Sequence, residues 1–206
     1  MYSSINKKLM RGFTLVEMLI AVAVFSMALV VGVGALYSAQ SINTKLQATH
    51  IIMDSVNLSL EVMTRNIRYG SSFYCASDLN DNSGNSTGST NNCKYDPIVI
   101  TSGGGKIVFK PVGSTVSDRI AYYLDSSNRL TEAYSTDGGV TFPQIKQISS
   151  DEVSITGLRF YVIGSKPSPT DTDQPMITMI LSGKTKTSGG KQEASFVLQS
   201  SITSRN

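Results

Sequence analysis

The sequence predicts an α+β chain: one long N-terminal α-helix, membrane-spanning in its first half and amphipathic in its second, packed on an antiparallel β-sheet. Three observations predict it. Residues 18–44 carry no charged side chain, longer than the roughly 20 apolar residues a membrane helix needs. Apolar residues then recur every three or four positions up to residue 67, which marks one face of a helix. Beyond Gly70 the chain turns to short β-rich runs separated by polar turns.

The chain opens with a basic leader, Lys7, Lys8 and Arg11, ending at Gly12. An apolar run starts at Phe13, and its one charge is Glu17. Basic residues before the run and none inside it predict a cytoplasmic leader. The run is too long for the core of an ordinary secretory signal, about 7–15 residues. A plain anchor leaves Glu17 unexplained, because a carboxylate in hydrocarbon costs on the order of 2.5–3.5 kcal/mol and needs a partner or a place near the interface.

Gly12-Phe13-Thr14-Leu15-Val16-Glu17 resembles the class III signal of type IV pilins and type II secretion pseudopilins. The resemblance implies a pilin-like fold. It implies cleavage by a membrane prepilin peptidase after Gly12 and N-methylation of Phe13, and it makes Glu17 the family's acidic fifth mature residue. Glu17 would then pair with the amino terminus of a neighbouring subunit, two charges that are costly singly in lipid. The partners implied are the peptidase, other pilin or pseudopilin subunits, an inner-membrane assembly platform and the lipid bilayer. Many major pilins carry proline where this chain has Gly34, preceded by Gly32. Glycine weakens a helix by about 1 kcal/mol but keeps the hydrogen bond that proline removes. The pair therefore makes either a soft spot or a close-packing site, and the missing proline favours a minor pilin or pseudopilin.

The expected organisation is a leader over 1–12, a transmembrane assembly helix over 13–37, its amphipathic continuation over 38–69 and an extracytoplasmic β-rich domain over 70–206. The full chain has 18 Lys and Arg against 15 Asp and Glu, a net charge of +3. Three of the basic residues lie in the leader, so 15 basic against 15 acidic residues remain after Gly12. That balance does not support a globally basic surface for nucleic acid.

In the amphipathic half, Ile42, Leu46, Met53, Val56, Leu60, Met63 and Ile67 form the expected core stripe. Gly70 suits a left-handed C-cap, and Arg65 and Arg68 suit the negative helix end. His50 is the single histidine and, with no second ligand near it, reads as a solvated or packing residue.

In the β-rich part, residues 98–101 and Lys106–Lys110 read as a hairpin around a Ser-Gly-Gly-Gly turn. Arg119–Leu124 and 129–134 form a second, and 144–148 continues it. Val153–Ile163 shifts its apolar parity at Gly157, which suggests a bulge. The last pair is 175–182 with 194–203. One sheet of six or seven strands is expected. Residues 135–142, STDGGVTF, resemble the Asp-box of sialidases, with Phe142 in place of the usual tryptophan. That motif is a folding turn without catalytic residues.

Cys75 and Cys93 are the two cysteines. An even pair outside the cytoplasm favours a disulfide. The polar stretch between them alternates Asp78, Asn80 and Asn82, but an EF-hand would want glycine and glutamate where Ser83 and Ser89 stand. No metal ligand set, cofactor box, P-loop or nucleophile–base pair is expected, and the chain reads as structural rather than enzymatic. The alternative is a filament-tip or membrane-anchored binding module for DNA or a surface ligand. Its nucleic-acid contact would be a local patch of Lys184, Lys186 and Lys191.

Overall fold

The computed structural model describes residues 12–76, 91–93, 103–165, 173–185 and 194–205. It divides into two compact units, Met1–Thr44 and Lys45–Asn206.

One helix, α1 (Leu15–Arg68), runs through 54 residues. It starts at a Thr14 cap, where the Thr14 hydroxyl accepts the Glu17 N–H at 3.3 Å. From Gly12 to Thr44 no residue is buried. From Lys45 on, α1 contributes a buried line of Ala48, Ile52, Val56, Ser59, Met63 and Ile67. The expected stripe is correct at Val56, Met63 and Ile67. Ile42, Leu46 and Met53 are instead exposed. Small residues explain the difference: Ala48 and Ser59 let the helix approach closely, and the Ser59 hydroxyl donates to the Ile148 carbonyl at 2.6 Å.

Gly70 ends the helix, its N–H donating to the Ile67 carbonyl at 3.0 Å. It is not left-handed, since the glycines with positive φ are Gly103, Gly113, Gly138, Gly139 and Gly164. What requires glycine here is space, because a Cβ would press into the Phe109 ring and the Asn66 carbonyl.

Eight strands follow: β1 (Ser71–Ala76), β2 (Lys106–Lys110), β3 (Arg119–Leu124), β4 (Leu130–Ser135), β5 (Gln144–Gln147), β6 (Val153–Ile163), β7 (Met176–Thr185) and β8 (Ser195–Thr203). They form two antiparallel sheets, β1-β2-β3-β4-β5 and β6-β7-β8. This corrects the single sheet expected from the sequence. The two sheets are joined by single bridges: Tyr74 pairs with Asn91, Cys93 with Val162 and Gly104 with Phe160. The strand β1 was not foreseen. It and β3 flank β2, which also corrects the expected first hairpin, whose residues 98–101 lie outside the described ones. The parity shift at Gly157 is a register shift between Ile155 and Gly157.

The core joins α1 to both sheets through Ile52, Val56, Met63, Phe73, Phe109 and Phe160, among others. At its margin Asn66 donates to the Tyr122 hydroxyl at 2.7 Å and to the Glu132 carboxylate at 3.0 Å. Tyr122 in turn donates to Glu132 at 2.8 Å. Tyr122 has no exposed surface, and burial raises its phenol pKa far above the ordinary value, with the Glu132 charge adding to that.

Candidate functional site

The N-terminal motif begins on open backbone. Gly12, Phe13 and Thr14 precede the helix and are exposed, and a Cβ at Gly12 would meet nothing within 4 Å. Phe13 is 78% exposed. A peptide bond between Gly12 and Phe13 therefore lies on accessible, non-helical chain. An α-amino group generated at Phe13 would stand one residue before the Thr14 cap.

Glu17 is the third residue of α1, and Thr14-Leu15-Val16-Glu17 is a capping-box sequence. Beside the assembly role expected of it, Glu17 has a second property not evident from the motif alone: its amide is the one the Thr14 hydroxyl caps. A carboxylate in the first helical turn also faces the positive end of the helix dipole. Among the described residues the ion pairs are Glu61–Arg65 and Asp125–Arg129, so Glu17 has no cation of its own chain against it there. Beyond it the helix is apolar and exposed on every side through Val33, Leu36 and Tyr37. Its most apolar window reaches a mean hydropathy of 2.6, enough in length and composition to cross a membrane. The helix passes Gly32 and Gly34 unbroken, with open space around both.

Cys75 and Cys93 form a disulfide. Cys75 lies in β1 and Cys93 bridges to Val162 of β6, so the bond ties one sheet to the other. Gly104 sits directly against it: a Cβ there would run into the Cys75 sulfur and the Ala76 carbonyl.

The loop between β4 and β5 is organised by Asp137. Ser135 donates to its carboxylate at 2.6 Å, and Thr141 donates through its hydroxyl at 2.6 Å and its N–H at 3.0 Å. Those bonds, led by that of Ser135, hold the Asp137 carboxyl far below the usual carboxylate range. Gly138 and Gly139 take positive φ, and Phe142 packs against the small buried cluster that holds Tyr74, Ala76, Val108, Ala121 and Ala133. Its groups are consumed in local hydrogen bonds, as a folding turn requires.

Lys184 lies exposed on β7, while Lys186 and Lys191 lie outside the described residues. The calcium-like positions Asp78, Asn80 and Asn82 lie outside them too. His50 is exposed on α1. Among the described residues no group of three or more His, Cys, Asp or Glu side chains could hold a metal ion.

The family model for the prokaryotic N-terminal methylation motif matches residues 7–33. No curated protein and no solved structure matches the chain. The matched stretch holds Gly12, Phe13 and Glu17 and agrees with the pilin and pseudopilin resemblance of those residues. With the apolar helix the match points to a prepilin-like, single-pass, membrane-anchored protein with a structural role.

Proposed function

We propose that the chain is a minor type IV pilin or pseudopilin, made as a prepilin, cut after Gly12, methylated at Phe13 and assembled into a pilus or pseudopilus. The observation that carries the reading is the methylation-motif match over residues 7–33, laid over an exposed Gly12–Phe13 bond and a helix start capped at Thr14. Residues 13–37 would sit in the inner membrane, continued by the amphipathic 38–69, with the domain at 70–206 extracytoplasmic.

Assembly follows from the charge of Glu17. Glu17 stands in an apolar segment with no cation of its own chain against it among the described residues. The methylated α-amino group of a neighbouring Phe13 supplies the opposite charge and fixes the stagger between subunits. The peptidase, other subunits and the assembly platform are the partners this requires.

A Gly12→Asp substitution tests the reading. In cells carrying the peptidase, the mature-length band is expected to disappear and the full-length precursor to remain in the membrane fraction. Unchanged processing of the variant would contradict it.

A further inference from the structure

One dipeptide of this chain carries a chemical hazard of its own. Asp137-Gly138 is the single Asp-Gly pair, and no Asn-Gly occurs. In such a pair the glycine nitrogen can attack the aspartate side chain, because no Cβ hinders its approach. The nitrogen bonds to Cγ and gives up its proton, and the carboxyl hydroxyl leaves with it as water. A second water then opens the succinimide ring at either carbonyl, returning aspartate or giving isoaspartate, with no oxidant and no change of mass. Two conditions must be met. The carboxyl must be protonated, since an ionised one has no hydroxyl to lose as water, and the Gly138 nitrogen must turn onto Cγ.

Exposure alone would leave the pair at risk. Asp137 is exposed in the turn between β4 and β5, with Gly138 and Gly139 buried beside it. The hydrogen bonds of the turn oppose both conditions. Ser135 donates to one carboxylate oxygen at 2.6 Å, and the Thr141 hydroxyl donates to the other at 2.6 Å. The Thr141 N–H lies 3.0 Å from each oxygen. Charge-assisted bonds of this length favour the ionised form, and the carboxyl accordingly lies far below its usual range. Turning Cγ toward Gly138 would break bonds from both ends of the turn. The nucleophile is held as well. The Gly138 N–H donates at 2.7 Å to the Ser117 carbonyl in the connection between β2 and β3, so its peptide plane is fixed from outside the loop. The Gly139 N–H reaches the Ser135 hydroxyl oxygen at 2.9 Å.

Isomerisation here would do damage. Isoaspartate adds a methylene to the main chain just before Gly138 and Gly139, which take positive φ. The shift passes to Phe142, whose ring centre lies 5.4 Å from the Lys106 ammonium.

We infer that Asp137-Gly138 is a self-modification site of this chain and that the 135–141 turn holds it intact, through the bonds of Ser135 and Thr141 to the carboxylate and of Gly138 to Ser117. Processing at Gly12 plays no part in it.

Full-length chain in detergent and a peptide of residues 133–143 test this side by side. Both are incubated for weeks at about pH 5, above the ordinary carboxyl pKa, and isoaspartate at residue 137 is measured by chromatography and mass spectrometry of digests. The peptide is expected to accumulate isoaspartate, and the folded chain to do so at least about tenfold more slowly, because several bonds must break first. Thr141 is exposed, so its variants leave the core untouched. Thr141→Val lacks the hydroxyl donor and is expected to isomerise roughly threefold faster than the parent chain. Thr141→Ser keeps the donor and should match the parent rate, and Ser135→Ala should speed the reaction as Thr141→Val does. A peptide that stays intact, or a folded chain that keeps pace with the peptide, overturns the inference. Thr141→Val no faster than Thr141→Ser overturns it too, by removing the carboxylate bonds from the protection.

Discussion

Cys75 and Cys93 carry the covalent link between the two sheets: one sits in β1 of the five-stranded sheet, the other pairs with Val162 of the three-stranded sheet. The bond closes a loop with a sequence separation of 18, for which the chain-entropy account gives about 3 kcal/mol. Cys93→Ser with Cys75→Ser is expected to lower unfolding free energy by that amount. Urea unfolding of the full chain in detergent, oxidised against doubly substituted, measures it. Equal midpoints would mean the sheets are held together without the bond.

Gly104→Ala probes the same junction from the other side. The added methyl meets the Cys75 sulfur and the Ala76 carbonyl, and overpacking of this kind costs about 1–3 kcal/mol. Gly105→Ala, one residue on with nothing within 4 Å of its Cβ position, is the control. A similar loss for both variants would show that the close approach to the disulfide is not what constrains Gly104.

Tyr122→Phe removes a hydroxyl that accepts from Asn66 and donates to Glu132. Asn66 keeps its bond to Glu132, so the expected cost is about 1 kcal/mol. Thermal unfolding with an unchanged near-ultraviolet spectrum would confirm a local loss, whereas an undiminished stability would contradict it.

Acid should loosen the turns before the core. Hydrogen bonds led by the Thr115 N–H lower the Asp118 carboxyl, and those led by Ser135 lower Asp137. At Asp125 desolvation raises the carboxyl, but bonds from Arg129 and Ser127 outweigh it and lower it as well. A carboxyl depressed on folding adds stability above its unfolded pKa, about 3.9, and loses it as pH falls toward the folded value. The slope of stability against pH should therefore appear below about pH 4 and flatten in Asp137→Asn. Exchange of the Thr141 amide, which donates to Asp137, reads the same event locally.

Much of this fold is legible from local pattern alone. Strands β2, β3 and β6 begin and end where alternation and turn residues place them, because each lies between strong turn signals. The pairing of β1 is not legible. Four consecutive residues, Phe73 to Ala76, are buried, so no alternation marks the strand, and Ser72 takes a positive φ at its bulge. The junction between the two sheets is equally hidden, since it runs through bridges from Asn91, Cys93 and Gly104 rather than through any strand's own sequence. Periodicity places the helix face by its large apolar residues. Its true line runs through Ala48 and Ser59, small residues chosen for close approach, and periodicity gives them no weight. The N-terminal site is the opposite case: Gly12, Phe13 and Glu17 lie within one short segment, so their arrangement needs no tertiary contact to be read.

Glu17→Gln separates assembly from processing. The substitution keeps size and hydrogen bonding but removes the charge. Processing at Gly12 is expected to continue, while incorporation into sheared filaments falls by about tenfold, the factor that a loss of 1.4 kcal/mol corresponds to. Normal incorporation would remove Glu17 from the assembly step.

Processing turns on the Gly12–Phe13 bond, and mass spectrometry of the mature amino terminus reads it, in cells with and without the prepilin peptidase. A chain beginning at N-methylated Phe13 is expected when the peptidase is present and an uncut leader when it is absent. A mature chain that begins at Met1, or after residue 30, in cells with an active peptidase would contradict it.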